Sequence, residues 1–525
     1  MINTSINSAN VERRVSLRIV VFALAMIFAA THSWVLLSWN ALFWDDWSIL
    51  TSNSDEIRRM FKFVGFDLAG LLHAGLVPLG AGAYKILMLS SLALMSFCVF
   101  LIARHHGFNA EYAGCITALF IVAPLNTSKI AAINVAAVMF AAIFFVAWTL
   151  LLRDLQKPSL LKRIGVLVLF SIAFYLPSSL AFFALPAMSI AWHAYRAHQD
   201  WSQRFVTLFK RADFFVLPFV QFAIFRIFFF KPDASIVNEY HKFGIRSSRL
   251  QEAMDRIQAD ILFDMPWAVR IVLIVLPFLV LLRLAKCPPV QHVETVRRAD
   301  VWMFIGLSAC FFALLPYLAV GRLPVFSDWN SRYQLFLPLG FALVCWSLSQ
   351  YIAAYSQRKW LGISTLALIL VLSAGFSVRS YFEYANDWEK QNQLMAALQE
   401  LKAITTSDNI VIVDSVIYAK RRVLRYNEYT QMMMRAQPGW SGLALSNNQL
   451  LTVGDGSLKQ YIALLGGIKN IQAEPKLFGL SGNWRWSDSC VVLVAVEIDG
   501  RVQLRRGRGQ TSVQSPCILK STDNY

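Results

Sequence analysis

The sequence predicts a polytopic α-helical membrane protein, with about eleven transmembrane helices and a small α/β domain at its C-terminal end. Three observations predict this class. Of the 525 residues, 57% are hydrophobic and only 15% charged. Apolar runs of about 18 residues or more recur along the chain, each long enough to cross a hydrocarbon core of roughly 30 Å. After Phe376 the composition changes, and short strand and turn signals replace the apolar runs. A net charge of +17 would suggest nucleic acid in a soluble domain. Here most basic residues fall in short loops between apolar runs, so membrane topology explains them and no nucleic-acid partner is expected.

The first run, 19–37, follows Arg13, Arg14 and Arg18. It exceeds the 7–15-residue core of a cleaved signal and no small-residue cleavage site follows it, so a retained signal anchor is expected. Spans are then expected at 17–37, 84–103, 109–124, 131–152, 163–176, 180–195, 213–230, 267–284, 300–320, 334–354 and 360–377. Pro177-Ser178-Ser179 would form a very tight turn inside the 163–195 pair. With the N-terminus inside, the inner loops hold Arg104, then Arg153, Lys157, Lys162 and Arg163. They continue with Arg196, Arg204, Lys210 and Arg211, then Arg283, Lys286, Arg297 and Arg298, and last Arg358 and Lys359. Outer short loops hold little beyond Lys129, Arg322 and Arg332, which is the positive-inside pattern. The odd number of spans puts the C-terminal region outside.

Two outer loops are long, 38–83 and 231–266. In the first, Ile57, Met60, Phe61 and Val64 recur at helical spacing between charges, the pattern of a short helix lying in the membrane interface. Leu250, Met254, Ile257 and Ile261 repeat that pattern in the second. The membrane module is thus 1–377. The outer α/β domain, 378–525, begins with an amphipathic helix from 388 to 404 that carries Leu394, Met395, Leu398 and Leu401 on one side. A β-branched strand at 410–413 follows. Residues 491–498 and 501–504, joined by Asp499-Gly500, read as a β-hairpin with a two-residue turn.

Five of the seven cysteines (Cys98, Cys115, Cys287, Cys310 and Cys345) lie in or beside spans and act as small apolar residues. Cys490 and Cys517 lie in the polar C-terminal region, where an oxidising compartment would allow them to pair. There is no Cys-x-x-Cys and no zinc-like spacing.

Chemistry is concentrated in a few places. Trp44-Asp45-Asp46-Trp47 directly follows the first span, with two carboxylates framed by tryptophans, which favour the interfacial layer. The bland reading is a solvated acidic turn. The functional one is a general base for an attacking hydroxyl, a group that orients an acceptor, or a hard-oxygen site for a divalent cation. The loop from Gly321 to Tyr333 gathers Arg322, Asp328, Arg332 and Tyr333, against the inside bias for positive charge. Arginine forks suit phosphate oxygens, and a phosphate at the outer face is most simply lipid-linked; the plain alternative is Arg332 snorkelling at the start of a span. His73, Lys85, Lys129 and His241 are lesser candidates for substrate contact, with His73 and Lys85 expected to be structural. Asn126-Thr127-Ser128 fits a glycosylation pattern by coincidence, because it lies against the membrane.

An inside N-terminus, an acidic pair in the first outer loop, a helical second outer loop, an Arg-Tyr at the outer end of a span and a soluble C-terminal domain resemble the GT-C superfamily. Those integral-membrane glycosyltransferases use polyprenyl- or dolichyl-phosphate sugars. Within that group the layout looks most like the bacterial multi-span glucosyltransferases that decorate O-antigen. The resemblance implies an inverting hexosyltransferase of the bacterial inner membrane with a periplasmic C-terminal domain. Its donor would be a polyprenyl-phosphate sugar, glucose being favoured, and its acceptor a glycan such as lipopolysaccharide O-antigen. It further implies that Asp45 or Asp46 is the base and that Arg322 and Arg332 hold the lipid phosphate. Trp-Trp-Asp, the mark of the oligosaccharyl branch, is lacking, so peptide acceptors and that branch's metal dependence are not carried over. Rival readings are a lipid-linked glycan flippase or transporter, and an O-antigen polymerase or ligase.

Overall fold

A computed structural model describes residues 16–197, 199–230, 265–285, 292–320, 326, 329–400, 409–414, 424, 426–440, 444–446, 490–498 and 501–506. Helix α1 (Leu17–His32) is capped by Ser16, whose hydroxyl accepts from the Arg18 N–H, and runs on as a 3-10 turn to Ser38. The segment expected as a loop, 38–83, is largely helical. It holds α2 (Asp46–Thr51), α3 (Ser54–Phe63) and α4 (Asp67–Leu76), and α5 (Gly80–His105) begins within it. A capping box sets the start of α3: Asn53 accepts from the N–H groups of Asp55 and Glu56, and Glu56 accepts from that of Asn53.

The amphipathic stripe of α3 exists, but its partner is protein. Ile57 and Phe61 are buried against α4 and the core beneath. Gly70 makes this approach possible, since a Cβ there would lie 2.8 Å from the Phe61 Cβ. The sequence hid α4 because its apolar and small residues merge with the run that becomes α5.

Next come α6 (Ala110–Val122) and α7 (Val135–Gln156), then α8 (Leu160–Ala173), α9 (Pro177–Phe182), α10 (Ala184–Ala197), α11 (Trp201–Phe209) and α12 (Ala212–Ile224). They are followed by α13 (Trp267–Ala285), α14 (Val293–Ala319), α15 (Leu337–Ser356) and α16 (Lys359–Glu400). Among the described residues, six helical segments are long and apolar enough to cross a membrane: Leu17–Ser38, Asp67–His105, Ala132–Gln156, Val293–Ala319, Leu337–Ser356 and Lys359–Glu400. Of the other expected spans, 267–284 folds as the 19-residue α13, and 109–124, 163–176, 180–195 and 213–230 fold as helices of 13 or 14 residues. Both α8 and α10 have 14 residues, about 21 Å of rise. Proline at the start of α9 and a π-helical turn at Phe225–Phe229 after α12 interrupt runs that hydrophobicity alone would join.

One helix departs from its expected boundary. The span expected to end at 377 and the amphipathic helix expected from 388 are a single α16 of 42 residues. That is about 60 Å of helix, twice the hydrocarbon thickness. Beyond it lie α17 (Tyr426–Ala436) and strands β1 (Asn409–Asp414), β2 (Ala444–Ser446), β3 (Cys490–Ile498) and β4 (Arg501–Arg506), in sheet order β2-β1-β3-β4. β1 is parallel to both neighbours, while β3 and β4 are antiparallel with Ile498 opposite Arg501, the register of a two-residue connection. Leu394 and Leu398 of α16 join Ile410, Ile412, Met432, Met433 and Leu493 in one apolar core, and Trp47 is part of it. The far half of α16 is therefore amphipathic because one side faces this sheet and α17.

Candidate active site

The turn that enters α2 is pinned from three directions. Trp44 is a non-glycine residue in the left-handed region, φ 54°, a conformation that costs about 1–2 kcal/mol. Its N–H donates to Glu428 Oε1 on α17 at 2.9 Å. The Phe43 N–H donates to Asp46 Oδ2 (3.0 Å), and the Ile133 N–H, entering α7, donates to Asp46 Oδ1 (2.9 Å). Asp46 is fully buried with Lys85 of α5 nearby. Burial pushes its carboxyl up to about 6, opposed by the Lys85 charge and by the main-chain N–H groups of Ala132, Ile133 and Phe43. Lys85 donates to the Ile130 carbonyl at 2.8 Å and lies 5.3 Å from the Phe43 ring centre. Asp45, at the N-cap of α2, is half-buried.

Neighbouring acids thus have different surroundings. Both Asp46 oxygens serve to knit residues 43, 132 and 133 together. Asp45, on the same turn, is only partly buried.

The flanking tryptophans are core residues with no exposed surface, where an interfacial position was expected. Trp44 meets Tyr384 of α16 edge-on at 5.6 Å. Trp47 packs on Trp388 at 6.1 Å and donates its indole N–H to Gln391 Oε1 at 2.8 Å. Thr51, at the end of α2, donates to Gln431 Oε1 of α17 at 2.9 Å or to the Trp47 carbonyl at 2.5 Å. The protruding half of α16 supplies the partners that the membrane interface was expected to supply. His73 is sandwiched between Phe61 (4.7 Å) and Tyr84 (5.5 Å), and its carbonyl accepts from the Tyr84 hydroxyl, so it supports the α3–α4–α5 packing beside the turn.

A second cluster lies along the segment between α6 and α7. Lys129 Nζ is 3.1 Å from His32 Nε2, and His32 Nδ1 is 2.8 Å from Thr31 Oγ1. The Thr31 hydroxyl donates to the Ile27 carbonyl at 2.7 Å, so His32 Nδ1–H donates to Thr31 and Nε2 accepts from the Lys129 ammonium. Burial pushes Lys129 down to about 8, which leaves it cationic at neutral pH. Among the described residues no carboxylate is ion-paired with it. Ser331 docks the Arg332 segment here, its Oγ accepting from the Ser128 N–H at 2.9 Å and lying 3.2 Å from Thr127 Oγ1. Arg332 donates to the Tyr333 hydroxyl at 3.0 Å, and Tyr333 packs on Tyr317 at 4.8 Å. Tyr384 links the two clusters: it packs on Phe43 and Trp44 and donates to Thr127 Oγ1 at 3.4 Å.

The structure therefore brings Trp44, Asp45, Asp46, Trp47, His73 and Lys85 into one cluster, and Lys129, Arg332 and Tyr333 into its neighbour. Arg322, Asp328, His241 and Cys517 lie outside the described residues; Cys490 opens β3. Sequence reasoning missed His32, Tyr384, Gln391 and Glu428, whose roles depend on contacts across as many as 384 positions. Among the described residues, no group of three or more His, Cys, Asp or Glu is placed to hold a metal.

No protein-family model matches the chain, and no curated protein matches it. Among solved structures it is similar to ArnT from Cupriavidus metallidurans, bound in that crystal to undecaprenyl phosphate. The identity is 13% and the TM-score 0.34, over 93% of this chain and 97% of that one. The roles of individual residues rest on the geometry of this chain alone.

Proposed function

We propose that this protein is an inverting membrane glycosyltransferase that moves a hexose, glucose being favoured, from a polyprenyl-phosphate carrier to a hydroxyl of a cell-surface glycan such as O-antigen. One observation carries the reading. A partly exposed carboxylate, Asp45, stands on a strained and pinned turn; Tyr384, which packs on Phe43 and Trp44 of that turn, also donates to Thr127 in the segment that carries the half-buried cation Lys129, ion-paired with no carboxylate among the described residues. A base beside a site for an anion is what attack on a phosphate-linked sugar requires.

In the proposed step the acceptor hydroxyl gives its proton to Asp45 as its oxygen forms the bond to the anomeric carbon. The bond from that carbon to the phosphate oxygen breaks, and the electron pair leaves with the polyprenyl phosphate. Lys129 and Arg332 stabilise the charge that grows on the leaving group, with Arg322 assigned the same role. Asp46 is a positioning residue: its oxygens hold the turn through Phe43 and Ile133. If a divalent cation takes part, the partly exposed Asp45 carboxylate would hold it, and its chemistry there would be charge neutralisation at the phosphate.

The test supplies purified protein with labelled polyprenyl-phosphate glucose and lipopolysaccharide. Transfer that is lost in Asp45→Asn and kept in part in Asp46→Asn supports the assignment; full transfer by Asp45→Asn overturns it. Buried Lys85 and Asp46, close enough for their charges to interact, and the half-buried Lys129–His32 pair favour one rival, a carrier that moves the lipid-linked glycan intact, since ionisable groups inside a helical bundle often line a path. Movement of intact glycolipid across proteoliposomes without sugar transfer would establish that rival.

A further inference from the structure

Far from this site, at the opposite end of α5, the bundle forms an open cavity of about 760 Å³ between α5, α6, α7, α10, α14 and α15. Lys85 and Arg104 on α5 are separated by about 30 Å of helix, one hydrocarbon thickness. The cavity lies at the face to which the sequence assigns the inner loops. Its size is that of ligand sites, roughly 300–1,000 Å³.

Polarity divides the cavity in two. The interior is lined by aliphatic side chains and by Phe108, Trp148 and Trp302. Within it Trp148 Nε1 donates to Ser189 Oγ at 3.2 Å, His106 Nε2 is 3.3 Å from the same oxygen, and Ser189 donates to the Leu185 carbonyl. Most of the wall is apolar, so the interior suits a hydrocarbon chain. At the mouth stand Arg196, Arg297 and Arg298 against one acid, Glu294. Arg298 is fixed by donating to the Gly107 carbonyl (3.0 Å) over the Phe108 ring (4.9 Å), and Arg196 lies 6.0 Å from the Trp192 ring centre. Among the described residues none of the three is ion-paired with a carboxylate.

An apolar chamber with an arginine-rich mouth at headgroup depth fits one kind of occupant. We infer that it binds an anionic phospholipid of the cytoplasmic leaflet, with an acyl chain along the Trp148 and Trp302 wall and the phosphate between Arg196, Arg297 and Arg298. Arginines placed there only to orient the chain in the membrane would not distinguish one lipid from another.

Native mass spectrometry of the delipidated full chain decides between the two. With phosphatidylglycerol or phosphatidylcholine added in equal amounts, a single phosphatidylglycerol should be retained, at least about tenfold over phosphatidylcholine, as two or three charge contacts at a membrane surface would give. Arg196→Ala/Arg297→Ala should bring phosphatidylglycerol down to the phosphatidylcholine level. Val301→Trp, which fills the chamber from its lining, should lower retention of the lipid while leaving the arginines in place. Equal retention of the two lipids by the unaltered chain, or an unchanged preference in a folded double-arginine variant, overturns the inference. The two-lipid comparison stands even if a variant does not fold.

Discussion

Asp46 has no exposed surface, and its two oxygens accept from the main chain at residues 43 and 133. Asp46→Asn would turn an NH₂ toward one of those N–H groups, and a buried donor left facing a donor costs about 1–3 kcal/mol. Its pH dependence has a definite sign. The folded carboxyl sits at about 6 against an ordinary 3.8, so the folded state holds this proton more tightly than the unfolded chain. Stability from this group is therefore gained as pH falls from about 6 toward 4 and is absent above that window. The gap in thermal midpoint between the native chain and Asp46→Asn should widen as pH falls from 7 to 4; a constant gap would remove burial as the cause. Lys129 makes the complementary prediction. With its ammonium at about 8, donor binding that depends on its charge weakens above that pH, so KM for the lipid-linked donor should rise on the alkaline side. Lys129→Arg, charged throughout, should flatten that limb. The acid pair itself was legible from sequence, because two adjacent carboxylates after an apolar run are conspicuous. Their different surroundings were not, since these depend on Ile133 and Glu428, distant in the chain.

Helix α16 couples the apolar bundle to the turn at residues 43–47. Its first half is apolar, while its second half presents Tyr384, Trp388 and Gln391 to residues 43–47 and Leu394 and Leu398 to the sheet. Periodicity correctly marked the second half as amphipathic, and the hairpin register followed from its two turn residues. The continuity of α16 was missed because a change of composition, which marks the edge of the membrane, also looks like the end of a helix. Gln391→Leu should orphan the buried Trp47 N–H at a cost of about 1–3 kcal/mol. It should also reduce transfer more than a mutation of equal thermal cost elsewhere. Gly340→Ala provides that comparison. A Cβ at Gly340 would lie 2.7 Å from the Gly306 carbonyl oxygen and 2.5 Å from Cys310 Sγ, which forces α14 and α15 apart. Overpacking of this kind costs about 1–3 kcal/mol, read as a lower midpoint in detergent, with the turn at residues 43–47 left intact.

Across the whole molecule, long apolar helices carry a polar site at one end and an arginine-rimmed cavity at the other. The membrane class was legible because any helix that crosses a bilayer must show a long apolar run. The number of spans was less legible: α8, α10 and α12 are apolar but short, and hydrophobicity alone does not reveal where a proline or a π-helical turn breaks a run. On the proposed topology the turn at residues 43–47 lies outside and the cavity inside. A cysteine replacing Asp55 should therefore react with an impermeant maleimide added to whole spheroplasts, and one replacing Lys157 only after lysis. The central claim is that Asp45 takes the proton in sugar transfer from a lipid phosphate. Single-turnover transfer of labelled glucose from its polyprenyl-phosphate carrier, measured for the native chain and for Asp45→Asn at matched folded protein, tests it most directly. The account predicts that Asp45→Asn binds the donor normally and loses 10²-fold or more of the transfer rate, about the contribution of a general base. Unimpaired transfer by that variant would contradict it.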